Sequence, residues 1–146
     1  MYLADLSSHE HMQRIRSVGW LEPEHEYTRG AVDPSDLRRL CELAVDPWMP
    51  AVAGGFHVCR FCGFTGGLEC QGIKLTGLGW SNLYIPDGNR IYEAPSMIVH
   101  YIDAHGYAPP EEFLKAVRKC PEMNSPEYDE LILSSGGKSL MEPPSQ

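Results

Sequence analysis

The chain reads as an α+β domain, a small antiparallel sheet with three to four helices around an embedded structural zinc site. Three observations predict it. Short apolar runs are divided by turn residues, as in Leu83-Tyr84-Ile85 and Arg90-Ile91-Tyr92 on either side of Pro86-Asp87-Gly88-Asn89. Apolar residues recur at helical spacing behind proline- and acid-rich starts. Thiols and imidazoles come in two pairs, Cys59-x2-Cys62 and His100-x4-His105.

In chain order, Met1 to Leu6 and residues 13–21 alternate loosely and read as strands, and Glu22 to Gly30 is charged and turn-like. Asp33-Pro34-Ser35-Asp36 is a helix start, with a capping carboxylate, proline at the first helical position and an acid in the first turn. Leu37, Leu40, Cys41 and Ala44 then share one face, and Asp46-Pro47 stops the helix before a loop that ends in Gly54-Gly55. Phe56 to Cys59 reads as a short strand entering the thiol turn. Gln71 to Thr76 and Trp80 to Ile85 are strand-like. Pro95 opens a helix through about Ala104, with Gly106 just beyond it. Pro109-Pro110-Glu111-Glu112 opens the next, carrying Phe113, Leu114, Val117 and Cys120 on one side until Pro121. Ser125-Pro126-Glu127 starts a last one with Tyr128, Leu131 and Ile132. Residues 1–135 are expected to form one domain, and the Gly-, Ser- and Pro-rich residues 136–146 a disordered tail.

A chain of 146 residues, 42% of them hydrophobic, can bury a real core. No apolar run approaches the ~20 residues that cross a bilayer, and the first residues lack a basic leader, so a cytoplasmic location is expected. The net charge is −8 with pI near 5.1. Phosphate-gripping domains carry a basic stripe, so nucleic acid is an unlikely ligand. An acidic surface suits solubility or a basic protein partner. Five cysteines without a secretion signal argue against a disulfide framework. Cys41 and Cys120 fall on apolar helix faces and read as small packing groups.

Structural zinc takes four thiolate and imidazole donors. Cys-x2-Cys places two sulfurs on one tight turn, and Gly63 lets the backbone pass close behind them. Cys59, Cys62, His100 and His105 would close a Cys2His2 shell. Side chains five apart on an ideal helix point ~140° away from each other, so the helix must tighten or end between the histidines. An alternate ligand is His57, which shares a strand face with Cys59 and would give His57, Cys59, Cys62 and His100. Cys70 is a lesser candidate, and a metal-free reduced thiol pair is the bland alternative. Neither the zinc-protease pattern nor the zinc-deaminase pattern fits: Tyr101 follows His100, and His57-Val58-Cys59 has a thiol where the deaminase glutamate belongs.

Other signals have blander readings. Gly77-Leu78-Gly79-Trp80 is a turn and not a nucleotide loop. Tyr84, Tyr92, Tyr101, Tyr107, Trp20, Trp48 and Trp80 read as core more readily than as a ligand cleft. His9, His11 and His25 read as solvated. Ser7-Ser8-His9 is no triad without a placed acid.

Phe56 to Gly63 resembles the zinc knuckle of treble-clef and Cys2His2-type domains, followed likewise by a hairpin and a helix. Over most of residues 1–118 the chain also resembles an uncharacterised family of small bacterial proteins. The shared marks are Met1 to Leu6, Val18-Gly19-Trp20-Leu21, His57-Val58-Cys59-Arg60-Phe61-Cys62, and His100-Tyr101 through His105-Gly106-Tyr107-Ala108-Pro109-Pro110-Glu111-Glu112-Phe113. That resemblance implies the metal residues, with His57 inside the pattern, and a bacterial origin, but no activity. The expected function is a non-catalytic protein-interaction or regulatory module, an immunity-like protein being one form of it. The alternative is a zinc-dependent hydrolase with His57 near an open metal position, which needs a metal-bound water and a carboxylate beside it.

Overall fold

The computed structural model describes residues 2–8, 14–50 and 56–141. Five strands and five helices follow one another among these residues: β1 (Ile15–Ser17), α1 (Pro34–Val45), β2 (Gly66–Cys70), β3 (Ile73–Leu78), β4 (Asn82–Pro86), β5 (Ile91–Pro95), α2 (Ile98–His105), α3 (Glu111–Lys119), α4 (Pro126–Ser134) and α5 (Lys138–Met141). The architecture is the mixed α+β class that the sequence predicts, built on small sheets of three and two strands.

The turn signal at Pro86–Asn89 makes the β4–β5 hairpin, paired antiparallel from Asn82–Pro95 to Pro86–Ile91. Asp87 closes it: its Oδ1 accepts from the backbone N–H groups of Asn89 and Arg90, each at 2.8 Å. β1 joins the other edge of β5 in parallel, Ile15 opposite Ile91, so the three-stranded sheet is mixed and not wholly antiparallel. β1 and β5 come from distant parts of the chain, and no hairpin dictates their direction. Every residue of β4 is buried, because α3 and α4 pack against it.

β2 and β3 form a second, antiparallel hairpin around Gln71–Gly72, with a bulge between Gly66 and Leu68. Nothing in the sequence of residues 66–70 predicts β2. The strand expected at Phe56 to Cys59 has no regular structure, and residues 14–21 contribute three residues of strand plus isolated bridges from Leu3 to Trp20 and from Ser8 to Arg16.

α1 is capped as anticipated, Asp33 accepting from the backbone N–H and the hydroxyl of Ser35 at 2.9 and 2.7 Å. Leu37, Leu40, Cys41 and Leu43 bury its inner face, which lies against β3, α2 and α3. Asp36, also buried, receives the Arg118 guanidinium through two hydrogen bonds of 2.9 and 2.8 Å and so ties α1 to α3. Ser125 caps α4 by accepting from the Tyr128 N–H at 3.1 Å, and the Tyr128 phenol donates to the carbonyl of Tyr84 on β4.

The tail expected to be disordered from residue 136 is folded through Met141: α5 places Leu140 in the core, where 5% of it is exposed. Residues 142–146 lie outside the described residues. So do His9 and His11, and with them the Ser7-Ser8-His9 reading. Among the aromatics read as core, Tyr84, Tyr92, Tyr101, Tyr107 and Trp20 are buried, but Trp80 is 64% exposed and lies against Phe56.

The N-terminal segment is fastened to the far end of α2. Tyr27 donates its phenol to the carbonyl of His105 at 2.8 Å, and Arg29 and Tyr107 form a bridge. Tyr107 in turn donates to the Asp5 carboxylate at 2.9 Å, which also accepts from the Gly19 N–H at 3.0 Å.

Candidate metal centre

Two segments build the site. The first is the turn that follows Cys59. The N–H of Gly63 donates to the Cys59 carbonyl at 2.7 Å, and the Cys59 N–H donates to the Phe64 carbonyl at 2.9 Å. This tight fold sets the two sulfurs 3.7 Å apart. Cys59 is fully buried and Cys62 is exposed. The second is α2, whose last residue is His105. Gly106 ends the helix in the left-handed region at φ 66, and its N–H and that of Tyr107 both turn back to the Tyr101 carbonyl. The helix thus stops where the spacing of the histidines requires it to.

The donors converge. Cys59 Sγ lies 3.4 Å from His105 Nε2, and Cys62 Sγ lies 3.3 Å from His100 Nε2. One ligand atom from each of the four residues falls within 4.8 Å of every other, close enough to bind a metal ion. Cys59, Cys62, His100 and His105 are therefore brought together as expected. His57 is not among them. Its N–H donates to the Gly79 carbonyl at 2.7 Å, and its ring meets Trp20 edge-on at 5.1 Å. Cys70 sits on β2, away from the cluster, where it interacts with the thiol of Cys41.

Aromatic rings hold the imidazoles. Phe64 stacks on His100 with centroids 4.4 Å apart and planes 16° from parallel, and Phe61 lies on His105 at 5.1 Å. Both phenylalanines belong to the thiol turn, so one short segment presents the sulfurs and packs the rings they meet. The signal for them in the sequence is their spacing, since each stands two positions after a cysteine in Cys59-Arg60-Phe61-Cys62-Gly63-Phe64.

Burial biases Cys59 and His100 toward their neutral forms. Burial pushes the Cys59 thiol above its ordinary pKa, against the pull of the Cys62 and Phe61 backbone N–H groups directed at it. Burial, with His105 beside it, holds His100 below the usual histidine range. Both effects favour the neutral imidazole, the form that ligates a metal. A divalent ion would reverse the bias on Cys59, since it deprotonates a coordinating sulfur.

Residues 1–118 match the model of a domain of unknown function, DUF7919. The chain belongs to the DUF7919 family. The matched span contains all four donors and ends within α3 of this DUF7919 chain. No curated protein and no solved structure matches the chain.

Proposed function

We propose that Cys59, Cys62, His100 and His105 hold a structural Zn2+, and that the domain is a non-catalytic protein-interaction or regulatory module of the cytoplasm with an acidic surface suited to a basic protein partner. The distances between donors carry the metal reading. Around zinc, with Zn–S near 2.3 Å and Zn–N near 2.0–2.1 Å at tetrahedral angles, two sulfurs stand about 3.8 Å apart and a sulfur and a nitrogen about 3.6 Å. The corresponding distances here are 3.7 Å between the sulfurs and 3.4 and 3.3 Å between sulfur and nitrogen. Two thiolates and two imidazoles are also the donor set of closed structural sites, whereas catalytic sites keep one position for water. The hydrolase reading required His57 beside the ion, and that ring packs on Trp20 instead.

The interaction reading rests on the closed shell together with the net charge of −8. Glu24, Glu26, Glu127 and Glu130 are among the acids exposed on the surface, where they would steer a cationic partner.

Elemental analysis of the purified chain tests the metal. One zinc per chain is expected, and Cys59→Ser with Cys62→Ser should abolish it. Full zinc in that double variant, or none in the parent protein, rejects the assignment. For the partner, association should weaken as salt rises; binding that is indifferent to salt would count against an electrostatic role.

A further inference from the structure

We propose that Cys62 is an oxidation site, and that a hydroperoxide converts Cys59 and Cys62 into a disulfide and expels the ion. This rests on the zinc reading above. The four donors are unequally shielded: Cys59 and His100 are buried, His105 is half-buried and Cys62 is exposed. The other thiols are buried as well, with 0% of Cys41, 4% of Cys70 and 3% of Cys120 exposed. Cys62 is therefore the one cysteine that a solute meets first on the folded protein. Its nearest sulfur is Cys59, 3.7 Å away and behind it. A disulfide needs about 2.05 Å, so the two must close by under 2 Å within one turn. Both residues lie outside any helix or strand, on the segment that precedes β2, and no ladder hydrogen bond has to break.

The chemistry balances in two steps. The Cys62 thiolate attacks the outer oxygen of the hydroperoxide. The O–O bond breaks, the S–O bond forms, and the leaving alkoxide or hydroxide takes a proton, leaving a sulfenic acid. The Cys59 thiolate then attacks the Cys62 sulfur. The S–S bond forms, the S–O bond breaks, and hydroxide departs. The two sulfurs lose two electrons in all, and the peroxide gains them. The ion is left with two imidazoles and no thiolate and dissociates.

The test uses the full chain with its zinc content measured beforehand, so that a metal-free preparation is recognised as failure of the zinc reading and not of this one. Hydrogen peroxide is added in stoichiometric steps, and released zinc is followed with a chromogenic chelator. The expected result is one zinc released per disulfide formed, with re-uptake after dithiothreitol and added zinc. Arg60 lies between the two cysteines, so trypsin leaves them on separate peptides, residues 40–60 and 61–74. These peptides also carry Cys41 and Cys70, so fragmentation of the linked pair must place the bridge at Cys59 and Cys62. A Cys62→His variant that still holds zinc should keep it under peroxide. Zinc retained by the parent at a tenfold excess of peroxide overturns the proposal. So does release with Cys62 as sulfinate and no bridge, or a bridge between Cys41 and Cys70.

Discussion

His105 stands five positions after His100, a spacing that on an unbroken helix turns the two rings about 140° apart. They meet because His105 is the last helical residue and Gly106 reverses the backbone directly after it. The ring centroids end 5.0 Å apart, and the phenylalanines of the thiol turn brace both. Under the zinc reading, His105→Ala should lose most of the metal and His57→Ala almost none, as measured by zinc content per chain after dialysis. Equal losses would put His57 back in the shell. At this scale much of the site was legible: the Cys-x2-Cys string, the second histidine pair and the glycine that lets them converge all stand in the sequence. The choice between His57 and His105 was not. Both sets satisfy the spacing rules, and what sets His57 apart in the fold is a backbone contact with no local signal, its N–H donating to the Gly79 carbonyl just past β3.

Gly79 also governs an element junction. It lies between β3 and β4 at φ 98, its carbonyl accepts from His57 and its N–H donates to the Ser96 hydroxyl at 3.1 Å. A Cβ at this position would overlap the His57 carbonyl oxygen, whereas one at Gly106 meets nothing. Gly106→Ala should therefore cost about 1 kcal/mol, the conformational penalty alone, and Gly79→Ala clearly more, both read from urea unfolding midpoints. A larger loss at Gly106 would mean that the helix end is under tension that the structure does not display. α1, α3, α4 and the β4–β5 hairpin were readable because caps, prolines and turn residues announce them locally. β2 was not, since Gly66-Gly67 has little strand propensity and only its pairing with β3 makes it extended. The parallel direction of β1 is likewise a property of its partner and not of its own three residues. α5 was hidden by a Gly-Ser-rich composition that says nothing of where Leu140 would find cover.

Across the whole molecule one core gathers residues from β1 to α5. Several tyrosines are set in it, and their phenols are held above the ordinary range. Burial is the main cause for Tyr84, Tyr101, Tyr107 and Tyr128, and the Asp5 carboxylate adds to it at Tyr107. A phenol that binds its proton more tightly when folded contributes stability that is intact below the unfolded pKa of about 10 and is lost as pH rises above it. The protein should therefore hold its thermal midpoint up to about pH 9 and lose it steeply above pH 10, with phenolate absorbance at 295 nm rising in step with unfolding. Phenolate appearing well before the fold is lost would mean that these rings open to solvent locally.

The hydrogen bonds from Tyr27 to the His105 carbonyl and from Tyr107 to Asp5 make the end of α2 a buckle for the segments around Asp5 and Tyr27. An ion gripped by His105 would tighten that strap without touching it. Stripping the ion would then loosen residues that supply no donor, so the amino-terminal arm would register a change made at the other side of the buckle.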